Sequence, residues 1–293
     1  MLLLFHNRMW GEELPSGEQV PAGCELSSDR QRLVEADAVI FHVPELRPWH
    51  RPPKRPGQLW VAWSIESEQH YPVLDAPATR ARYDLVMSYR RDADVIWGYV
   101  PFYSSADNLE RTLLAPPRPK AAQRPVAMLI SSQVDRSGRR AYARELMRHI
   151  EVDSWGSFLR NRRLASDDGR PSKLRLIASY PFTLAFENSI SPDYVTEKFF
   201  DPLVVGSVPV YLGAANVADF APGEDCYIDV RDHASPRDLA EYLHSLIRDP
   251  AAYERLHAWR RQPLRPTFRA WLDGQRTPPL HRLYEALRDR QAA

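Results

Sequence analysis

Cysteine is nearly absent from this chain of 293 residues, with Cys24 and Cys226 as the only two. They stand far apart and match no metal-ligand spacing, which excludes a disulfide framework and a cysteine-based zinc site and suits a reducing compartment. Two unconnected buried thiols are expected. Net charge is nearly absent as well, with 39 Lys+Arg against 38 Asp+Glu. No global field draws such a chain to nucleic acid or to an anionic membrane, so any anion site has to be local. Long hydrophobic runs are missing too. The opening MLLLF gives way at once to His6, Asn7 and Arg8, too short a stretch for a signal-peptide core or a membrane span, and it is expected to be the first buried strand. The sequence therefore predicts a soluble protein, with peripheral membrane contact left open. His6, His42 and His70 are scattered singly and offer no metal cluster, so structural roles are expected for them.

What is present is apolar material enough for a core, 44% of the residues, in one large domain or two ordinary ones. Short apolar runs rich in β-branched and aromatic residues fall at 2–5, 38–43, 59–65 and 83–88, then at 126–131, 150–154, 182–186, 208–212 and 226–230. Helical or turn-rich segments separate them, which is the pattern of an α/β protein with buried parallel strands in two sheets. Residues 113–125 hold four prolines and no apolar periodicity, a linker signal. The expected division is a domain at 1–118, a second at 119–265 and a helical tail at 266–293. The proline-rich RPPKRP at 51–56 is expected to be a surface loop, with a ligand motif for a proline-binding domain as the lesser alternative. Ser235, Pro236 and Asp238 make a capped helix start ahead of Leu239, Tyr242, Leu243, Leu246 and Ile247, and Asp249 with Pro250 starts another helix. In the tail, Leu280, Leu283, Tyr284 and Leu287 form one face, expected to pack on a core rather than on a membrane.

Chemistry concentrates at 182–213, in FTLAFENSISPDYVTEKFFDPLVVGSVPVYLG: strand, polar turn, helix, and a second strand ending in glycine. If Ser191 caps the helix and Pro192 opens it, Tyr194, Glu197 and Lys198 fall on one face at i, i+3 and i+4. An aromatic, a carboxylate and a cation together suit a nucleoside diphosphate sugar, whose phosphates need cations and helix amides and whose hydroxyls need an acceptor. Charge pattern alone also fits an ordinary exposed ion pair.

The segment FENSISPDYVTEK followed by GSVPVYLG resembles the donor-binding signature of the α1,3/4-fucosyltransferase family, glycosyltransferase family 10. NVADFAPGEDCYIDV and DPAAYERLHAWRR continue the likeness. Upstream, WVAWSIESEQH at 60–70 is similar to the family's acceptor-domain motif and SYRRDAD at 88–94 nearly repeats its wording. Four ordered motifs are unlike a chance match. The resemblance implies two Rossmann-like α/β domains facing a cleft, the glycosyltransferase B architecture. Glu66 falls on the family's general base, and it also follows the buried run at 59–65, where sites of α/β sheets gather. Arg139 matches the arginine on the donor diphosphate, with Arg140 as its rival. Asn188, Tyr194, Glu197 and Lys198 match donor-contacting positions, and Ser131 and Tyr99 match more weakly, with a strand-terminal serine and a core tyrosine as the plain readings.

Ser132, Thr183 and Pro202 depart from the family pattern, which bears on the donor sugar. Pro202 is expected to kink or end its helix. The eukaryotic members' anchor and C-terminal cysteines are missing, as is the heptad tail of some bacterial ones. A bacterial, cytoplasmic enzyme is expected, with the inner face of the membrane as an alternative place, acting on a surface glycan such as lipopolysaccharide. The implied activity is inverting transfer of L-fucose from GDP-β-L-fucose to a glycan hydroxyl, O3 of N-acetylglucosamine by family default, with no metal or other cofactor and no nucleic-acid partner. Another GDP-6-deoxyhexose or acceptor, or a silent carbohydrate-binding protein, are the alternatives. Trp49, Trp60, Trp63 and Trp97 could stack on sugars but are expected to fill the core.

Overall fold

The computed structural model describes residues 1–46, 52–72 and 76–292. Trp49, and Arg51 of the proline-rich loop, lie outside the described residues. The chain forms two compact units, Met1–Pro101 with Gly274–Ala293, and Phe102–Asp273.

The first unit carries six strands: β1 Leu2–Phe5, β2 Glu25–Ser27, β3 Ala38–His42, β4 Leu59–Ser64, β5 Leu85–Ser88 and β6 Val95–Ile96. They pair in parallel throughout, in the order β2-β1-β3-β4-β5-β6. One helical turn, α1 (Pro77–Arg80), lies between β4 and β5. Parallel strands need both faces covered. On one face Leu3, Phe5, Ile40, Val61, Trp63 and Met87 pack with Leu280, Leu283 and Leu287. On the other, Leu4, Val39, Phe41, Trp60 and Ala62 pack with Tyr83 and Val86.

The second unit carries α2 (Ala106–Leu114), β7 (Val126–Met128), α3 (Arg139–Leu146), β8 (Val152–Ser154), α4 (Arg170–Ile177), β9 (Phe182–Phe186), α5 (Glu197–Val205), β10 (Val208–Leu212), β11 (Ile228–Asp229), α6 (Pro236–Arg248), α7 (Pro250–Arg255) and α8 (Pro266–Asp273). Its sheet is again parallel, in the order β11-β10-β9-β7-β8. Ala143 and Leu146 of α3 and Leu239, Leu243 and Leu246 of α6 cover one face. The last helix, α9 (Pro279–Ala292), supplies the three leucines that pack in the first unit.

All nine expected strands form. The division of the chain differs from the one expected at 118. Residues 113–125 are not a linker, because they are tied down within the second unit: Lys120 Nζ donates to the Ala178 carbonyl at 3.0 Å, and the amides of Ala121 and Ala122 donate to Ser179 O. Arg260, buried, donates to the carbonyls of Leu113, Ala115 and Leu203. Helix α5 also differs. It starts at Glu197, with the Thr196 hydroxyl accepting from the Lys198 amide at 3.2 Å, not at Ser191 and Pro192. It runs three residues past Pro202 and ends where Gly206 turns left-handed at φ 78°, a position that favours glycine; a Cβ there would come within 2.5 Å of the Pro117 side chain.

Candidate functional site

In the second unit, chemistry gathers at the carboxyl end of β9, where ligands of open α/β sheets bind. The strand FTLAF is wholly buried and runs straight into Glu187, itself without exposure. A buried carboxylate requires donors, and Thr196 supplies two: its amide to Oε1 at 2.8 Å and its hydroxyl to Oε2 at 2.9 Å. Lys198 Nζ lies 3.5 Å from Glu187 Oε2 and donates to Glu197 Oε1 and to Thr196 Oγ1, each at 3.1 Å. Lys173 of α4 approaches Glu197 at 4.0 Å and pairs with the buried Asp201 at 2.8 Å. Asp201 also accepts from Arg170 at 2.5 Å and from the Tyr103 hydroxyl at 2.7 Å. Three carboxylates are thus interleaved with Lys198, Lys173 and Arg170.

The titration of these groups follows from that arrangement. Burial pushes the Glu187 carboxyl up, against the pull of Lys198. Burial would raise Glu197 too, but Lys198 and Lys173 outweigh it and hold Glu197 down at about 2. Lys198, which burial would lower, is held above its ordinary range by Glu197 and Glu187. Glu197 and Lys198, in the first turn of α5, are thereby held charged, with the cation presented at a helix N-terminus.

Facing them is the segment 131–139. The Arg136 amide donates to the Asn188 carbonyl at 2.7 Å and the Ser137 hydroxyl to that of Glu187 at 2.6 Å. Arg139, only 2% exposed, donates to the carbonyls of Phe186, Ser132 and Val134 at 3.2, 3.3 and 2.9 Å. Burial lowers its pKa, partly offset by Glu187 and Asp135. A guanidinium has five N–H donors, so these three bonds leave capacity for an anion. Arg140 instead donates to Gln133 and lies over the Phe158 ring. Arg139 Nε, Asn188 Oδ1 and Ser189 Oγ are buried with no hydrogen-bond partner. A polar ligand seated beside Arg139 and Lys198 would satisfy them.

Of the residues expected from sequence, Arg139, Asn188, Tyr194, Glu197 and Lys198 come together here. Tyr194 does so from the turn before α5 rather than from its face: Asp193 adopts φ 64° and is held by Asn216 through two bonds of 3.0 and 2.8 Å, leaving Tyr194 2% exposed. Ser131 lies at the exposed start of the facing segment, accepting from the Ser157 amide at 3.2 Å. Glu187, Thr196 and Lys173 were not singled out by sequence, although a carboxylate ending a fully apolar strand is a legible signal.

Glu66 belongs to the first unit, two residues beyond β4. Its amide donates to Ser64 Oγ at 3.1 Å, and it lines a cavity of about 380 Å³ with Glu68, Tyr71, Ser88, Tyr89 and Arg90. Glu68 accepts from Arg90 at 3.0 Å and from the Tyr89 hydroxyl. Tyr99, expected more weakly among the donor contacts, is 5% exposed in this unit, and its hydroxyl donates to the Ile65 carbonyl at 2.7 Å, bracing the residue before Glu66. The chain does contain an Asp-x-Asp, Asp92-Ala93-Asp94, but Asp92 is committed to Arg90 and Asp94 to Arg80 and the Val86 amide. Among the described residues no group of three or more His, Cys, Asp or Glu side chains could hold a metal, and no helix is long and apolar enough to cross a membrane.

Residues 1–100 match the family description "Fucosyltransferase, N-terminal" and residues 119–292 match "Glycosyltransferase family 10 (fucosyltransferase) C-term". A 4-galactosyl-N-acetylglucosaminide 3-alpha-L-fucosyltransferase of Homo sapiens is 35% identical over 266 residues, 87% of this chain and 70% of that protein. Alpha-(1,3)-fucosyltransferase 7 of Homo sapiens is 37% identical over 262 residues, 85% of this chain and 70% of that one. A fucosyltransferase-like protein of Arabidopsis thaliana is 36% identical over 222 residues, and the chain spans only 41% of its length. These relatives are eukaryotic, so the expected bacterial origin gains no support from them. In fold the chain is similar to crystal structures of an alpha1,3-fucosyltransferase with GDP-fucose (TM-score 0.59, 17% identity, 90% of this chain and 81% of that one) and with GDP (TM-score 0.61, 16% identity, 92% and 81%). The two parallel α/β units are those of the glycosyltransferase B class. The chain belongs to glycosyltransferase family 10, the fucosyltransferases.

Proposed function

We propose that the protein transfers L-fucose from GDP-β-L-fucose, with inversion, to O3 of an N-acetylglucosamine in a glycan acceptor. The observation that carries this reading is the site at the end of β9, where Lys198 and Arg139 are fixed beside buried polar atoms of Asn188 and Ser189 that have no protein partner. A diphosphate and the hydroxyls of its sugar would satisfy those groups. Family membership and the activities of the two human relatives support fucose as the donor sugar, and the N-acetylglucosaminide activity of one of them supports the acceptor.

In this reading Glu66 is the general base. It takes the proton of the acceptor hydroxyl as that oxygen bonds to the anomeric carbon, and the bond from that carbon to the phosphate oxygen breaks, its electron pair leaving with GDP. Arg139 and Lys198 balance the charge that grows on the departing diphosphate, and Ser131, Asn188, Tyr194 and Glu197 complete the donor set. Tyr99 positions the Glu66 loop. With two protein cations serving the diphosphate, the reaction is metal-independent and proceeds in a chelator. The test is the product of incubating the protein with GDP-fucose and N-acetyllactosamine: NMR should show one α-linked fucose on O3 of the glucosamine. A β-linked product would contradict inversion, and a different linkage position would contradict the acceptor assignment.

A further inference from the structure

Of the tryptophans that the sequence offers as sugar platforms, the three within the described residues are used up in the first unit's core: Trp60 and Trp63 are 7% and 5% exposed, and Trp97 packs on Trp63 with ring centroids 4.8 Å apart. Trp10 is unlike them. Its indole is 50% exposed, and it stands just beyond the carboxyl end of β1. Its backbone is left-handed, φ 48° and ψ 27°, a conformation unfavourable for any residue but glycine. What holds it there is Glu45, whose Oε2 accepts from the Trp10 amide at 2.8 Å and from Nδ1 of the buried His42 at 2.8 Å. His42 in turn meets the indole edge-on, with centroids 5.4 Å apart. An exposed aromatic is thus held in an unfavourable backbone by Glu45, itself anchored on the buried His42, and residues held in such conformations cluster at ligand clamps and active sites.

Its neighbour on the other side is Tyr71, with centroids 6.2 Å away, and Tyr71 lines the same cavity as Glu66. The Tyr71 hydroxyl is pushed up by burial and then by the charges of Glu66 and Glu45. One exposed indole therefore adjoins the wall of the cavity that holds the proposed base.

We propose that Trp10 is an acceptor subsite, an indole face on which a neutral pyranose ring of the acceptor glycan stacks through its C–H bonds while an adjoining sugar presents its hydroxyl to Glu66. The identity of the ligand as an acceptor sugar rests on the transferase reading above. An aromatic face takes the apolar side of a sugar ring as it takes other apolar surface, with the ring hydroxyls left to water or to the polar rim. Glu45 and His42 are positioning residues, since they fix the indole without facing the sugar.

The experiment compares wild type, Trp10→Ala, Trp10→Phe and Glu45→Gln, with N-acetyllactosamine as acceptor. Trp10→Ala should raise the acceptor KM by about threefold to tenfold, the range expected for one aromatic contact, with the GDP-fucose KM unchanged. Trp10→Phe should restore most of the loss, because it keeps an aromatic face. Glu45→Gln should fall between, as it leaves the ring but loosens its backbone. Titrating N-acetyllactosamine into the protein without donor should also change indole fluorescence in wild type and not in Trp10→Phe. An unchanged acceptor KM in Trp10→Ala, or an equal rise in both KM values, would overturn the proposal. If wild type makes no fucosylated product, the transferase reading fails instead, and the fluorescence titration still decides whether Trp10 meets a sugar.

Discussion

Thr196 and Glu187 are joined twice, through the amide and the hydroxyl of one residue and both carboxylate oxygens of the other. The pair ties the carboxyl end of β9 to the N-cap of α5, so the strand that ends the donor site and the helix that carries Lys198 cannot move apart independently. Everything proposed for the donor depends on that tie.

Removing it should be costly. Glu187→Ala leaves the Thr196 amide buried without an acceptor and deprives Lys198 of one of its two carboxylates, and should destabilise the protein by about 3 kcal/mol. Glu187→Gln keeps one acceptor oxygen and should lose roughly 1 kcal/mol. Urea unfolding at pH 7 measures both, and equal effects would contradict the double tie.

Lys198→Met should weaken GDP binding about tenfold to a hundredfold, the range for losing a hydrogen bond to a charged group. Lys198→Arg should retain part of the affinity. Calorimetric titration with GDP in a chelator reads both, and affinity unchanged in Lys198→Met would remove the cation from the donor site.

Tyr99→Phe deletes the hydroxyl that donates to the Ile65 carbonyl and so frees the strand end that positions Glu66. The expected result is a fall in kcat of about tenfold, equivalent to one lost hydrogen bond, with the GDP-fucose KM unchanged. A rise in that KM alone would instead make Tyr99 the donor contact expected from sequence.

His257 is buried, and both of its ring nitrogens lack a partner. Burial, then Arg260 and Lys120, lower it to about 4. The folded state therefore stays neutral where the unfolded chain, with an ordinary value near 6.5, takes up a proton. Stability from this group is fully present above about pH 6.5 and is lost as pH falls toward 4, by about 3 kcal/mol over that window. His257→Phe should flatten this part of the pH–stability curve in denaturant unfolding between pH 7 and 4.5. A curve of the same slope would place the acid sensitivity elsewhere.

Strands were the most legible level of this protein in its sequence, because continuous apolar runs such as FTLAF and VPVYL have few alternatives in a parallel sheet. Helix starts were less so. Ser191 and Pro192 carry the residue signals of a cap, but the Asp193–Asn216 bonds turn the chain there first and Thr196 caps the helix instead. That contact joins residues 23 apart in sequence, which no local pattern reveals. The division of the chain was misplaced for a similar reason: prolines at 113–125 signal a linker, while the bonds from Lys120 and Arg260 that anchor the segment come from tertiary structure. Candidate site residues came from family motifs, and the structure gathers Arg139, Asn188, Tyr194, Glu197 and Lys198 in one place. Trp10 was not legible in this way, since its exposure and left-handed backbone follow from Glu45, 35 residues away.

The measurement that most directly tests the central claim is GDP release from GDP-fucose, with and without N-acetyllactosamine and in the presence of a chelator, for wild type and Glu66→Gln. The account predicts acceptor-dependent release by wild type that the chelator leaves untouched and that Glu66→Gln loses by about a hundredfold or more, while its GDP affinity stays that of wild type. Acceptor-dependent release that survives in Glu66→Gln would contradict Glu66 as the base, and no release by wild type despite GDP binding would contradict the transferase itself.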